Sequence, residues 1–443
     1  MSSRKKVPKK VRSKKKNSKT KSRSTSKKII YLDNNGTTII CPEAEDAYKK
    51  WLKCYNASST SQIAKGAKIM MEKAKNYVLK HCSTTKKEYT VVFTSGATES
   101  NCFIIRSTIE AYNKIRKIKP HLIISLVEHH SVLECAKSVE DAGYAEVSRV
   151  EPNMYGCVLP EDIEKHIKPN TCMISIMYAN NETGAINNIP KIGELAHKHK
   201  IPLHTDAVQL FGKYPVNLAK SNIDALSASF HKLYGPKGIG ILIVKNDLVE
   251  GYDLKGQICG SQQNGLRGGT ENIPAIASSM EALKCAFKSR KAKNKKLLKM
   301  RNHIINQFKK SKIISFGDYA SYLGDPVPGK EKDNEIVVLG PPLDKPNYYL
   351  PNTLLISIAK NKGKDFCNVK FKQELDKQGV VVSIASACLT TSDKASHVLS
   401  AIGAPQVIKR GTLRISMGDT NSMDDIKTFL KKFFALLKIH LDK

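Results

Sequence analysis

The 443 residues contain no run of about 18 apolar residues, which excludes a helical membrane span, and the N-terminus lacks the apolar stretch of a signal peptide. The 11 cysteines, an odd number, include no C-x-x-C pair and no metal-ligand spacing. That pattern argues against a disulfide framework and a zinc site, so no metal is expected and the compartment should be reducing. No internal repeat is visible. Acids are the scarcer charge, with 40 Asp and Glu against 73 Lys and Arg and a formal charge of +33. The imbalance is steepest at the start, where residues 1–28 hold 14 Lys and Arg, no acid, and only Met1, Val7 and Val11 as apolar residues. These are too few for the amphipathic face of a mitochondrial presequence, so the segment reads as a disordered basic tail in a cytoplasmic or nuclear protein. Such a tail suits nuclear localisation or non-specific nucleic-acid contact. The remaining charge, +19, still leaves the body basic.

What is present from Ile29 onward is an alternation of short β-rich runs with helical patterns. The runs are YTVVFTS (89–95), HLIISL (121–126), TCMISIMY (171–178), IPLHTDA (201–207), IDALSAS (223–229) and GIGILIV (238–244). Continuous apolar strands separated by helices predict an α/β domain with a mostly parallel sheet, covered on both faces, whose sites lie at the carboxyl ends of the strands. After about Ala286 a Lys-rich helix is expected to about Lys310, opening a smaller α+β C-terminal domain. Within it, the Gly/Pro/Asp-rich stretch 316–351 reads as an exposed insertion carrying one strand, EIVVLG. The predicted organisation is thus a tail at 1–28, a large domain at 29–285 whose first residues, 29–44, pack with the small domain, and a small domain at 286–443.

Three strand ends carry chemistry. In TSGATES (94–100) a strand stops and a helix starts, offering free N–H groups and the positive end of a helix dipole to an anion such as phosphate. In HTDAVQ (204–209) a carboxylate, Asp206, ends an apolar strand and could hold a pyridine nitrogen protonated. In SASFHKLYGPKG (227–238) Lys232 follows a buried strand, and partial desolvation makes an amine a better nucleophile and Schiff-base former. Each alone could be an N-cap, a helix-capping Asp or a solvated lysine; their order along one sheet edge is the signal.

With YLDNNGTT, FTSGATESN, NNETG, HTDAVQ, HKLYGPKGIG, RGGTEN, SACLTTS and LRISMG, the chain resembles the NifS/IscS cysteine desulfurases over roughly residues 30–429. These are class-V aminotransferase-like enzymes of the fold-type-I pyridoxal-phosphate group. The resemblance implies that Lys232 carries pyridoxal 5'-phosphate and Asp206 pairs with its ring nitrogen. His129 would stack on the ring and move protons, with His130 as the alternative. Asn180 and Gln209 would bond the phenolic oxygen. Ala97, Thr98, Ser229 and His231 would hold the phosphate, with Thr270 reaching it from the partner of a homodimer. Arg414 would bind the substrate carboxylate, together with Asn180, and Arg267 would lie near the partner's site. Cys388, in a catalytic loop near 384–396, is the one cysteine in a Ser/Thr-rich segment after a strand, where a thiol can be exposed and mobile.

The implied activity is removal of sulfur from L-cysteine to give L-alanine and a persulfide on Cys388, destined for a sulfur-acceptor protein in iron–sulfur cluster assembly or for tRNA thiolation. Alternatives are a selenocysteine lyase, or another lyase, on the same fold, and a nucleic-acid-associated protein with a catalytically weak version of it. The chain departs from the family pattern at Gly36, where Ala is usual, at Ala57 and Ser61, and at Phe230, which replaces a small residue before His231. These departures bear on the substrate pocket.

Overall fold

The structure, a computed structural model, describes residues 28–323, 333–360, 366–384 and 396–442. Cys388, most of the basic tail and part of the 316–351 stretch lie outside the described residues. The first elements are β1 (Ile30–Tyr31), α1 (Pro42–Trp51) and α2 (Lys65–His81). There follow β2 (Tyr89–Thr94), α3 (Ala97–Arg116), β3 (His121–Ser125), α4 (His130–Asp141), β4 (Glu146–Val150), α5 (Pro160–Glu164) and β5 (Thr171–Ser175). The large domain's alternation ends with α6 (Ile189–Lys198), β6 (Leu203–Asp206), β7 (Ala225–Ser229), β8 (Gly240–Lys245) and α7 (Asn246–Gly251).

Strands β2 to β8 form a seven-stranded sheet in the order β2-β8-β7-β6-β5-β3-β4. All its pairings are parallel except those of β8, which runs against both β2 and β7. Side chains alternate across a strand, so the apolar runs feed both faces. Val91, Ile123, Ile174, Leu226 and Ile243 join one core, and Val92, Leu122, Ile124, Met173 and Leu242 join the other. This burial on two sides is why the runs lack a polar alternation.

Helix α8 (Ile273–Lys309) starts well before the expected position near Ala286. Asn272 caps it, accepting from Ala275 N at 3.2 Å, and a proline occupies its first turn. Its first half packs into the large-domain core through Ile276, Met280 and Leu283, and its second half into another core through Met300, Ile304 and Phe308. The expected boundary at 285/286 therefore falls inside one continuous helix.

The second core, with a smaller one beside it that takes in α10 and α11, is built from β9 (Ser315–Gly317), β10 (Glu335–Leu339), β11 (Thr353–Ala359), α9 (Asn368–Lys377), β12 (Val380–Val381), α10 (His397–Ala401), α11 (Gln406–Gly411), β13 (Thr412–Ser416) and α12 (Met423–Leu441). Its sheet has the order β13-β11-β10-β9, and β1 pairs in parallel with β12, so Ile30 and Leu32 lie in this core. The described part of 316–351 is not an exposed insertion. Strand β10 sits between β9 and β11, Ile336, Val337 and Leu350 are buried, and the Arg301 guanidinium lies 3.8 Å above the Tyr349 ring. A five-residue strand flanked by Gly, Pro and Asp is too short to show its two-sided pairing in sequence. Among the described residues no helix is long and apolar enough to cross a membrane.

Candidate active site

Strands β2, β6 and β7 end at one edge of the large sheet, where a cleft of about 610 Å³ opens between the sheet, the 35–37 loop and β13. At its floor, β2 gives way to α3 through Ser95 and Gly96. Gly240 of β8 lies against this turn, and a Cβ there would fall 2.6 Å from the Gly96 carbonyl carbon. Among the described residues no side chain caps α3, and Ala97 and Thr98 of its first turn line the cleft. Glu99 accepts from Ser95 N at 2.7 Å and pairs with Arg267 at 3.1 Å, which fixes the turn from outside. Ser229 and His231 line the same end of the cleft. Burial, with the cations of Lys232 and Lys237, pushes His231 down to about 4, so its ring is neutral at physiological pH. One ring nitrogen meets Thr37 Oγ1 at 3.1 Å.

Lys232 sits in a short 3-10 turn, residues Phe230–Lys232, directly after β7. Its Nζ donates to the carbonyls of Asn35 and Gly36, both at 2.6 Å. Burial, then the Arg414 cation, pull its pKa down to about 8, against Asp33 and Asp206, which raise it. Phe230 turns into the core with 1% exposure and leaves the cleft unobstructed. The family departure at this position therefore affects packing and not the pocket.

Asp206 ends β6, 4% exposed, and accepts from Asn101 Nδ2 at 2.8 Å and Val208 N at 2.9 Å. The Asn101 amide also donates to Ser131 Oγ at 2.9 Å, and Ser131 Oγ lies 2.8 Å from His129 Nδ1. Ser131 N points at that same Nδ1 at 3.1 Å, so Nδ1 accepts and the His129 proton resides on Nε2. Burial lowers His129 while Asp206 opposes the shift. His130 instead faces outward, with its ring 4.7 Å from that of His397.

Asn180 does not line the cleft. Its Oδ1 accepts from Glu182 N at 2.8 Å and Thr183 N at 2.9 Å, and its Nδ2 donates to Val127 O at 3.0 Å. Every polar atom of that side chain is committed to holding the NNETG turn. The next residue, Asn181, lines the cleft, and its carbonyl accepts from Arg414 Nη1 at 3.2 Å. Gln209 lies in the cleft, donating to Asn35 O at 3.2 Å. Arg414, on β13, brings a guanidinium from the small domain to the opposite wall, where its Nη2 meets Asp33 Oδ1 at 2.6 Å. Among the described residues its buried Nε has no partner. Thr270 is exposed in the loop before α8 and is not part of this chain's own cleft.

The residues on either side of 385–395 are anchored at the site. Ser383 exchanges backbone hydrogen bonds with Arg414 at 3.1 and 2.8 Å. Ser396 Oγ donates to Glu182 Oε2 at 2.7 Å, and His397 Nε2 lies 2.9 Å from the Glu128 carbonyl. The sequence reading assigned no role to Asp33, Asn35, Asn101, Ser131 or Asn181, although Asp33, Asn35, Asn101 and Asn181 stand within motifs it had marked.

Residues 30–322 match the aminotransferase class-V family. Cysteine desulfurase IscS of Dictyoglomus turgidum is 33% identical over 90% of this chain and 92% of its own length. Cysteine desulfurase IscS of Methanosarcina thermophila is 32% identical over 92% of each. Among solved structures, a NifS-like protein superposes with a TM-score of 0.78 at 29% identity, covering 93% of this chain and all of its own. A structure described as SspA in complex with cysteine has a TM-score of 0.69 at 29% identity, covering 88% and 98%.

Proposed function

This chain belongs to the cysteine desulfurases of the aminotransferase class-V family, and from that premise we propose that its cleft holds pyridoxal 5'-phosphate and that Cys388 receives the sulfur of L-cysteine. The observation that carries the reading is the convergence, in one cleft, of an uncapped helix N-terminus, the buried carboxylate of Asp206 and the amine of Lys232. This donor set fits the cofactor. The α3 N–H groups with Thr98, Ser229 and His231 suit a phosphate, Asp206 suits a protonated ring nitrogen, and a volume of about 610 Å³ is ordinary for a cofactor site. When bound, pyridoxal phosphate supplies an electron sink for charge developing at the substrate α-carbon.

The chain's own residues do the rest. Lys232, with its pKa lowered to about 8, is neutral in about one molecule in ten at pH 7, far more than an ordinary lysine, and serves as the attachment point and proton carrier. The Asn101 amide holds the Asp206 carboxylate in place at the cleft. His129, held by Ser131 with its proton on Nε2, can pass that proton within the cleft. Gln209 and Asn181, the latter in place of Asn180, offer amide groups to the cofactor oxygen and the substrate. Arg414 offers its guanidinium to the substrate carboxylate.

The Cys388 thiolate then attacks the substrate sulfur. An S–S bond forms as the substrate C–S bond breaks, the carbon takes the electron pair and a proton, and the products are L-alanine and a Cys388 persulfide. The protein works as a homodimer, in which Thr270 reaches the partner's phosphate site, and the persulfide passes to an acceptor protein. Incubation with L-cysteine and a thiol reductant tests this reading: alanine and sulfide are expected in equal amounts, and failure to form either rejects it.

A further inference from the structure

Between Glu281 and Asp318 the chain carries 12 Lys and Arg and no acid. Most of that stretch is α8, and Lys288, Lys291, Lys295 and Lys299 recur on it at one-turn intervals, all exposed. They form a single row about 16 Å long on one face of the helix. Among the described residues none of the four has a hydrogen bond or ion pair. A helix face that serves only solubility usually mixes signs, because like charges at i,i+3 and i,i+4 destabilise it by a few tenths of a kcal/mol per pair. This row sets Lys288 against Lys291, Lys291 against Lys295 and Lys295 against Lys299 with no acid to relieve them.

A second observation concerns where the cation-rich first segment of the chain joins the folded body. The chain enters the folded body at Lys28, whose Nζ lies 2.6 Å from Asp425 at the start of α12. Six residues earlier in the same segment, Asp419 pairs with Lys293 and accepts from Lys296 Nζ through its carbonyl at 2.8 Å. The point from which the 14 cations of residues 1–28 depart is therefore joined to α8 by one short stretch of chain.

We propose that the Lys288–Lys291–Lys295–Lys299 face of α8 binds the phosphodiester backbone of a nucleic acid, as a contact separate from the N-terminal tail. One cation per helical turn is a spacing that suits a run of phosphates, and release of their counterions drives the association. Because the row reads only phosphate, it confers no base specificity.

The test uses full-length holoenzyme, a Lys→Gln variant at all four positions and a Lys→Arg variant at the same four. Binding of a transfer RNA and of a short DNA duplex is followed by fluorescence anisotropy across a salt series. The glutamine variant should lose on the order of tenfold or more in affinity at low salt. Its slope of log affinity against log salt should shrink by up to about 3.6 for the duplex DNA, with a decrease of the same sign for the transfer RNA, and the arginine variant should retain both affinity and slope. Preference for RNA over DNA, or the reverse, identifies the source of the phosphates. An unchanged slope and affinity in the glutamine variant would overturn the proposal, leaving the tail as the contact. So would an equal loss of binding to phosphatidylserine vesicles, which would mark the face as a membrane-surface patch. Alanine formation from free L-cysteine should be equal in all three proteins, since none of the four lysines lines the cleft.

Discussion

Arg414 Nη2 and Asp33 Oδ1, 381 residues apart in sequence, meet at 2.6 Å on the wall of the cleft. The pair joins a small-domain strand to the YLDNNGTT segment, and both charges act on Lys232, Arg414 lowering its pKa and Asp33 raising it. Gly36 permits this placement, because a Cβ there would lie 2.7 Å from Asp33 Oδ2. The absence of the family's usual Ala at 36 thus has a local meaning: it lets the Asp33 carboxylate lie against the 35–37 loop and reach Arg414.

Cofactor capture should report this electrostatic arrangement. The folded pKa of Lys232 is about 8, so the amine is protonated below that pH and a free nucleophile above it. Loading of the apoprotein with pyridoxal phosphate, followed by absorbance, should accelerate as pH rises through about 8 and not near the ordinary lysine value. Arg414→Gln removes a lowering cation and should move the midpoint up, whereas Asp33→Asn removes a raising anion and should move it down. Gly36→Ala, by pushing the Asp33 carboxylate aside, should move it in the same direction as Asp33→Asn with smaller amplitude. Shifts of equal sign in Arg414→Gln and Asp33→Asn would contradict the arrangement.

Substrate affinity provides a second check on Arg414. Hydrogen bonds to a charged partner contribute about 1.5–3 kcal/mol. Arg414→Gln should therefore lower kcat/KM for L-cysteine on the order of ten- to a hundredfold, mostly through KM, while cofactor content stays near one per chain. An unchanged KM would remove Arg414 from carboxylate binding.

Much of this site was legible in the sequence because three of its parts are local. A strand followed by SGAT, a strand ending in Asp206 and a strand followed by Lys232 each announce their geometry within a few residues, and the cleft unites them. The partners that orient those groups were not legible. Asn101 reaches Asp206 across 105 positions and Asp33 reaches Arg414 across 381, contacts that depend on how helix, sheet and small domain pack. Asn180 was misplaced for a different reason. In a pair of adjacent asparagines sequence shows the amides but not which one the turn consumes. The role of 316–351 was hidden by its composition, since Gly, Pro and Asp around four apolar residues read as loop until β11 and β9 are known to flank them.

The two asparagines should separate by experiment. Asn180→Ala strips the buried partners from Glu182 N, Thr183 N and Val127 O, and should cost on the order of 2–3 kcal/mol of stability, read as a lower midpoint in denaturant. Asn181→Ala, whose side chain lines the cleft, should unfold at nearly the wild-type midpoint and instead lose activity with L-cysteine. If Asn180→Ala is as stable as the wild type and only its activity falls, the assignment of the pair reverses.

The last prediction divides the reaction at Cys388. The described residues on either side of its segment are tied to the site, Ser383 to Arg414 and His397 to the Glu128 carbonyl. In the proposed reaction the thiol's target is the sulfur of cysteine already held in the cleft, so its loss should spare every earlier event. Serine keeps a hydroxyl of similar size but is a far poorer nucleophile toward sulfur, because the attacking species must be a thiolate. Cys388→Ser should load pyridoxal phosphate fully, with Lys232 the lysine fixed by borohydride, and its absorbance should still change on adding L-cysteine. It should form no protein persulfide, and alanine should fall to a trace of the wild-type amount. Normal turnover of L-cysteine by Cys388→Ser, with sulfide released directly, would exclude the persulfide route and require elimination of sulfur without a protein acceptor.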